Sequence, residues 1–373
     1  MAGNPDFRPN PSRSIYVQGD IYEDLVDRLT PQIIRLTHQS REPITVYIDS
    51  NGGDPDHMVK LIRILKAPNQ DYDQACRIIT VVVTRAYSAA ADLLAFGDYA
   101  LANPNSRILF HGTRTNVSGL TAERSSFFAD YLRLTKESAA MDLAREVEFR
   151  FMFRFIMLQG EFDSIRAQAG APEMSDLDCF LNLVSRNLSR PAKRILTKAK
   201  ARYSRYDELV KKIISAKNKV KTRKTDAEWE GIELRAIIDF EIQKNQNDRS
   251  WSFREGGLNN LTDDFLLFRG NQDVSESDKY KIMCARYGVF LVPNNEADAL
   301  NKIADENEKL EKWTERVSPT LRPIWSFFVA LCYTLQQGED EFLSASDAYW
   351  MGLIDEVIGE SKNLLHMRSI IER

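Results

Sequence analysis

The chain is poor in the residues that build metal centres and disulfide frameworks. Its 373 residues include four cysteines, which are far apart and form no CxxC pair, and four histidines, none spaced from another as metal ligands are. We therefore expect isolated free thiols in a reducing compartment. The sequence predicts neither a metal site nor a cofactor.

Long apolar runs and an excess of one charge are also missing. No stretch approaches the ~18 uninterrupted apolar residues of a membrane-spanning helix, and the first residues are polar and proline-rich. The net charge at pH 7 is only −4. These absences predict a soluble, cytoplasmic protein without membrane contact, and they give no global attraction to nucleic acid.

The first 113 residues alternate strand-like and helix-like segments. β-Branched and apolar runs predict strands, whereas amphipathic or alanine-rich segments predict helices. The run from Arg77 to Thr84 is almost wholly apolar, which is typical of a strand buried on both faces. The alternation predicts an α/β domain with a largely parallel sheet. We expect strands at residues 14–19, 44–49, 77–84, 99–102 and 108–110, and helices at 24–38, 55–66 and 88–96.

From about Leu120 the pattern becomes helical. Residues 121–157 predict one long helix or two with phenylalanines in the core, and Glu296 to Lys312 predicts a charged helix before an apolar one at Arg322 to Leu335. The segment Arg190–Lys224 holds 14 Lys/Arg and two acidic residues, with apolar residues at helical spacing. It predicts a basic amphipathic helix, for which a solvated face is the simplest interpretation and an anionic partner or a membrane surface the alternatives.

Ser88 lies between the buried apolar run and a small-residue helix. A serine at such a strand-to-helix turn exposes its hydroxyl and has the backbone N–H groups of the helix start around it. Taken alone, however, a serine at a helix start is more often an N-cap than a nucleophile. The local sequence leaves both interpretations open.

Two segments other than that of Ser88 contain candidate functional residues. Gly52 and Gly53 follow the strand at 44–49, and a glycine pair permits backbone angles and close approaches that other residues do not. His111 ends a short apolar run beside Gly112, where we expect it to be exposed in a cleft. Taken singly, an ordinary turn and a structural histidine are the simpler interpretations.

Together these segments resemble the ClpP-like serine peptidases, the family of the Clp protease proteolytic subunit. The family pattern is a strand ending in Ser-Pro-Gly-Gly, a Gly-x-Ala-x-Ser turn, a Pro-Asn-Ser-Arg-x-x-x-His segment, and a late Asp-x-Phe-x-Ser-Ala followed by Gly-Leu-Ile-Asp. The resemblance implies the ClpP/crotonase fold of stacked β-β-α units. The matching segments occur in the same order, at residues 48–53, 85–88, 104–111, 340–345 and 352–355.

The resemblance also implies roles for individual residues. Ser88 would be the nucleophile, His111 the base that takes its proton, and Asp340 the acid that orients the imidazole. The backbone N–H groups of Gly53 and Ala89 would form the oxyanion hole.

Other ionisable residues lie near these motifs in the sequence. The rival carboxylates for the third place of the triad are Glu339, Glu341 and Asp355. We interpret Asp92 and His57, which are close in sequence to the serine and glycine motifs, as surface or packing residues.

The chain departs from the family in the length between its motifs. Between His111 and Asp340 lie 228 positions, far more than the helix–strand segment that family members place there. We therefore expect a ClpP-like core at residues 1–140 and 325–373, interrupted by a mostly helical insertion at 141–324. Because closing a long insertion costs little entropy when its ends meet, the triad can still assemble.

The expected function is that of a serine endopeptidase that hydrolyses peptide bonds through an acyl-enzyme. The resemblance implies a self-compartmentalising homo-oligomer acting on peptide or protein substrates. It leaves an unfoldase or adaptor partner open, since the family's N-terminal helix and axial loop have no clear counterpart here. The alternatives are an inactive scaffold or regulatory binding protein using the basic helix, and a crotonase-type acyl-CoA enzyme.

Overall fold

The computed structural model describes residues 8–68, 75–112, 114, 122–217, 276–337 and 341–359. Strands and helices alternate in the first part of the chain, as predicted. The elements are β1 (Ser14–Gln18), α1 (Glu23–Gln39), β2 (Ile44–Ser50), α2 (Pro55–Leu65), β3 (Ile78–Tyr87), α3 (Ala89–Phe96), β4 (Tyr99–Ala102) and β5 (Arg107–Leu109). β3 runs three residues beyond the predicted end of its strand, up to the residue before Ser88.

The strands form one seven-stranded sheet that includes two short C-terminal strands, β6 (Leu343–Ser344) and β7 (Glu356–Val357). The order β1-β2-β3-β4-β7 is parallel throughout, which confirms the predicted α/β class with a largely parallel sheet. The first half of β3 pairs with β4 and its second half with β5, whereas β6 pairs antiparallel with β5. The residues that follow β3 and β5 therefore leave the sheet side by side.

The rest of the described chain is mainly helical, and α4 is a single continuous helix. Its buried phenylalanines, Phe151, Phe153 and Phe155, confirm the predicted core position of this segment. The helices are α4 (Ala122–Leu158), α5 (Phe162–Ala169), α6 (Asp176–Asn187), α7 (Arg190–Lys217), α8 (Glu276–Leu291), α9 (Asn294–Asn301), α10 (Glu306–Gln337) and α11 (Ala345–Trp350). The part of the predicted basic helix at 218–224 lies outside the described residues.

The prediction of one charged helix over Glu296 to Lys312 is wrong. α9 ends at Asn301, and α10 begins at Glu306. The side chain of Asp305 accepts a hydrogen bond from the Glu308 N–H at 2.8 Å, so a new helix start is capped inside the predicted segment. The predicted apolar helix at 322–335 is the second half of α10, which continues through Pro319 and Pro323.

The described residues fall into two compact units. The first takes those within Met1–Pro172, Cys179–Leu196 and Tyr333–Arg373, and the second those within Glu173–Asp178 and Thr197–Cys332. All strands belong to the first unit, and the second is helical. The domain boundaries expected at residues 140 and 324 stay a prediction.

A buried ion pair ties α4 to the C-terminal segment within the first unit. Arg150 and Asp355 are both fully buried, and Nε of Arg150 donates to Oδ2 of Asp355 at 2.7 Å. The same guanidinium donates to the carbonyl oxygens of Ala95 and Gly97 at the end of α3, and Asp355 accepts from the Ala100 N–H at 2.7 Å. These bonds fix the Gly-Leu-Ile-Asp motif against the end of the helix that begins after Ser88.

Candidate active site

Ser88 occupies a strained turn between β3 and α3. Its backbone angles are φ 55° and ψ −130°, and among the described residues it is the non-glycine residue with positive φ. Such a conformation costs on the order of 1–3 kcal/mol and persists only where the surroundings enforce it. Here the Ser88 N–H donates to the Leu109 carbonyl at 2.8 Å, which fastens the turn to the end of β5.

The hydroxyl of Ser88 is not used to cap α3. Although Ser88 occupies the N-cap position, its side chain makes no capping hydrogen bond. Its carbonyl accepts from the N–H groups of Ala91 and Asp92, so the helix starts normally around it. Because Ala89 is the first residue of α3, its N–H is one of the donors without a partner inside the helix. The local geometry therefore argues against the N-cap interpretation of the Ser88 side chain.

Gly52 approaches the serine turn more closely than any other residue type would allow. Its φ is +98°, and a Cβ atom at this position would lie 2.5 Å from the Tyr87 carbonyl oxygen and 2.6 Å from Cβ of Ser88. The Gly52 N–H donates to Oγ of Ser50 at 3.0 Å, which holds the loop after β2 in place. The glycine after β2 is thus required for the backbone to lie against the Ser88 turn.

Gly53 is held by the segment after β1. The two segments form a parallel bridge, in which the Ile21 N–H donates to the Gly52 carbonyl and the Asp54 N–H donates to the Ile21 carbonyl. That bridge does not use the Gly53 N–H. A Cβ atom on Gly53 would lie 2.4 Å from the Ile21 carbonyl oxygen, so only glycine fits.

His111 and Ser88 line the same cavity. The cavity has a volume of about 440 Å³ and lies within the first unit, between α2, α3 and α4. His111 is half-buried, and its Nδ1 lies 2.8 Å from the Gly112 carbonyl oxygen. The structure records no hydrogen bond between Oγ of Ser88 and the imidazole, which is common for catalytic pairs without bound substrate.

Asp340 and Glu339 lie outside the described residues, but the chain on either side is anchored near His111. Before them, the Gln336 carbonyl accepts from the Gly112 N–H at 2.6 Å. After them, Leu343 pairs with Ile108 in β5, and the ring of Phe342 packs edge-on against Tyr87 with centroids 5.1 Å apart.

The other rival carboxylates have partners elsewhere. Glu341 forms a two-pronged ion pair with Arg194, at 2.8 and 2.7 Å. Asp355 is fully buried against Arg150, as described above. His57, which we interpret as a surface or packing residue, lies on α2 with Nδ1 3.4 Å from Oδ1 of Asp54.

Asp92, which we interpret as a surface or packing residue, lines the cavity that contains Ser88 and His111. Its Oδ1 accepts a hydrogen bond from Nε2 of Gln336 at 2.9 Å, and burial raises the pKa of this carboxyl to about 7. The signal was present in the sequence, because residue 92 is four positions after Ser88 on a predicted helix and so falls on the same face.

The hydroxyl of Ser88 and the imidazole of His111 line one cavity, and Ala89, the first residue of α3, lines it too. A nucleophile and a base in one cavity are parts that acyl transfer needs. In the described part of the chain, no three Cys, His, Asp or Glu side chains lie together as metal ligands do. None of the helices in the described ranges combines the length and apolar character needed to cross a bilayer.

Comparison with known proteins agrees with this geometry. Residues 9–141 match the model of the Clp protease family. This segment is ClpP-like. The described fold is accordingly a ClpP-like α/β core with additional helices. Over 118 residues the chain is 30% identical to the ATP-dependent Clp protease proteolytic subunit 2 of Treponema denticola, a match that covers 30% of this chain and 54% of the relative. The chain thus spans about half the length of that curated relative.

Proposed function

We propose that this protein is a serine endopeptidase in which Ser88 is the nucleophile, His111 the general base and Asp340 the orienting acid. The observation that carries the proposal is the strained, uncapped Ser88 in a cavity shared with His111. A structural serine at a helix start would use its hydroxyl as a cap and would need no positive φ.

The register of β6 on β5 supports Asp340 as the third member. Ile108 pairs with Leu343 and Arg107 with Ser344 in an antiparallel ladder. His111 follows the end of β5 by two residues, and Asp340 precedes the start of β6 by three, so both residues are close in the chain to this pair of strands.

The proposed reaction follows from these positions. His111 removes the proton of the Ser88 hydroxyl, whose oxygen attacks the peptide carbonyl, and the protonated imidazole then gives that proton to the leaving amine. The N–H groups of Gly53 and Ala89 stabilise the negative charge on the carbonyl oxygen; losing one such donor typically costs on the order of 100- to 1000-fold in rate. Water attacks the acyl-enzyme in the second half of the cycle.

We further propose that the protein acts as a self-compartmentalising homo-oligomer on peptide or protein substrates. The matched relative is named as the proteolytic subunit of an ATP-dependent protease, which supports an ATP-dependent unfoldase or an adaptor as partner. An anionic partner at Arg190–Lys224 remains a hypothesis, as does a cytoplasmic location.

A fluorophosphonate probe tests the proposed nucleophile. We expect covalent labelling of the assembled protein at Ser88, located by peptide mass spectrometry, because only an activated hydroxyl attacks phosphorus at a useful rate. Ser88→Ala should abolish labelling, and His111→Ala and Asp340→Asn should lower its rate by on the order of 1000-fold or more.

Ser164 supplies a matched control, because it is a serine of the same unit on α5, away from the cavity. Ser164→Ala should label as the unchanged protein does. Light scattering or electron microscopy on the same samples reports whether each variant assembles. An assembled protein whose Ser88 stays unlabelled would contradict the proposal and leave the scaffold interpretation.

A further inference from the structure

The cavity beside Ser88 has an acidic lining. Among the described residues around it, the ionisable side chains other than His111 are all carboxyl groups, and neither lysine nor arginine contributes. The remaining walls are largely small or apolar, including Ala89, Ala95 and Ala139. The carboxyl groups are Asp56 from α2, Asp92 from α3, and Asp142 and Glu146 from α4.

Asp92 is the member that lies on the same helix turn as the proposed nucleophile. Its N–H donates to the Ser88 carbonyl at 3.2 Å, so it lies one helical turn beyond the nucleophile. Residues four apart on a helix have Cβ atoms about 5–6 Å from each other on the same face. A substrate residue whose backbone reaches Ser88 would therefore direct its side chain along a wall of alanines toward this carboxyl group.

The surroundings of Asp92 disfavour the ionised form of its carboxyl group when no cation is nearby. Burial raises the pKa of this carboxyl, and repulsion from Asp142 adds to the effect, while the hydrogen bond from Gln336 opposes both; the resulting pKa is about 7. A cation that entered the cavity would favour the charged form of Asp92, whereas Asp142 already pairs with Arg145 at 3.0 Å. Because the described cavity residues do not form a metal-ligand group, an organic cation suits the site better than a metal ion.

We infer that Asp92 makes the cavity select peptides with an arginine or lysine side chain next to the scissile bond. This inference rests on the proposed peptidase function. Arginine and lysine have long apolar stems that can lie along the small apolar wall, and cationic ends that can donate hydrogen bonds to a carboxylate. A neutral polar or aliphatic side chain would leave the charge of Asp92 without compensation.

The test uses internally quenched peptides that differ only in arginine or its neutral isostere citrulline at one central position. We expect kcat/KM to be about tenfold or more higher for the arginine peptide at pH 8, since hydrogen bonds to charged groups contribute that much. Mass spectrometry should place the cut at the bond next to the arginine. Asp92→Asn should bring the ratio close to one, chiefly because kcat/KM for the arginine peptide falls.

Asp92→Asn is a conservative change, because an amide oxygen can still accept the hydrogen bond from Gln336. Asp56→Asn is the matched control, since Asp56 is an exposed carboxyl of the same cavity in the first turn of α2. We expect it to change the ratio much less than Asp92→Asn does. Circular dichroism and the state of assembly show whether each variant is folded.

The arginine-to-citrulline ratio should also depend on pH. As pH rises through about 7, Asp92 loses its proton, and the preference for arginine should grow. The other ionisable groups facing the cavity are Asp56, Asp142, Glu146 and His111. Asp92→Asn should flatten the profile.

The outcomes separate this inference from the proposed function. If peptides are cleaved but Asp92→Asn leaves the ratio unchanged, the inference is overturned and the peptidase stands. If neither peptide is cleaved and the fluorophosphonate probe leaves Ser88 unlabelled, the proposed function fails and the inference with it. A ratio that collapses in Asp92→Asn alone supports both.

Discussion

In the first unit charged side chains lie inside the fold, whereas in the second the buried centre is aromatic and the ion pairs lie on the surface. The buried charged residues of the described chain, among them Arg150, Arg154 and Asp355, all belong to the first unit. The second unit instead buries Trp313 and Trp325 completely. Two of its ion pairs, Arg316–Glu296 and Lys312–Glu315, have exposed side chains.

This difference affects how precisely each unit fixes the positions and orientations of its helices and strands. A buried charge is costly unless hydrogen bonds satisfy it, and those bonds have fixed directions. Arg150 meets Asp355 and two carbonyl groups at the end of α3, so the helix that begins after Ser88 is held in one orientation. Apolar packing such as that of Trp313 depends on volume and is less directional. We infer that the first unit is built for positional accuracy around its cavity.

The largest effect should follow from removing the buried guanidinium. Arg150→Met leaves Asp355 buried without its cation, and we expect the free energy of unfolding to fall by about 3–5 kcal/mol. Urea unfolding followed by circular dichroism measures this change. The double variant Arg150→Met/Asp355→Leu should recover part of the loss, because no uncompensated charge then remains.

A surface pair of the same unit provides the comparison for that variant. Arg166 pairs with the almost fully exposed Asp163 at 2.9 Å, and Arg166→Met should cost less than about 1 kcal/mol. If both variants lowered the free energy of unfolding equally, burial of the Arg150–Asp355 pair would make no additional contribution to stability. That result would contradict the contrast drawn between the two units.

A smaller effect, on activity, should follow from a methyl group at the nucleophile turn. The Cβ of Gly52→Ala would press on the Tyr87 carbonyl and Ser88, and a displacement of about 1 Å can cost on the order of 100-fold in rate. The rate of fluorophosphonate labelling measures the loss. Gly19→Ala is the control, since Gly19 also has positive φ, +85°, but nothing within 4 Å of its Cβ position. Equal labelling by both variants would contradict the close-approach role of Gly52.

The sequence was enough to predict much of the first unit because its signals are local. Alternating apolar and helical segments predicted every element from β1 to β5, and the resemblance to the ClpP-like serine peptidases implied that Ser88 and His111 act together. The Arg150–Asp355 pair could not be predicted, because its members are 205 positions apart and each alone resembles a surface residue. The break between α9 and α10 depends on one capping aspartate inside a uniformly charged segment.

The smallest effect should come from overpacking the aromatic centre of the second unit. A Cβ on Gly288, in α8, would lie 2.4 Å from Cε3 of Trp313 and 2.9 Å from Cγ2 of Val317. Since the φ of Gly288 is not positive, the cost is one of packing alone, and we expect Gly288→Ala to lower the stability of this unit by about 1–3 kcal/mol. Faster amide hydrogen exchange in α8 and in the Trp313 turn of α10 reports the change. Gly160→Ala, which has open space around the new methyl group, should leave this exchange unaltered. If Gly288→Ala exchanged no faster than Gly160→Ala, the indole ring would be free to move, and the second unit would be packed more loosely than its buried tryptophans indicate.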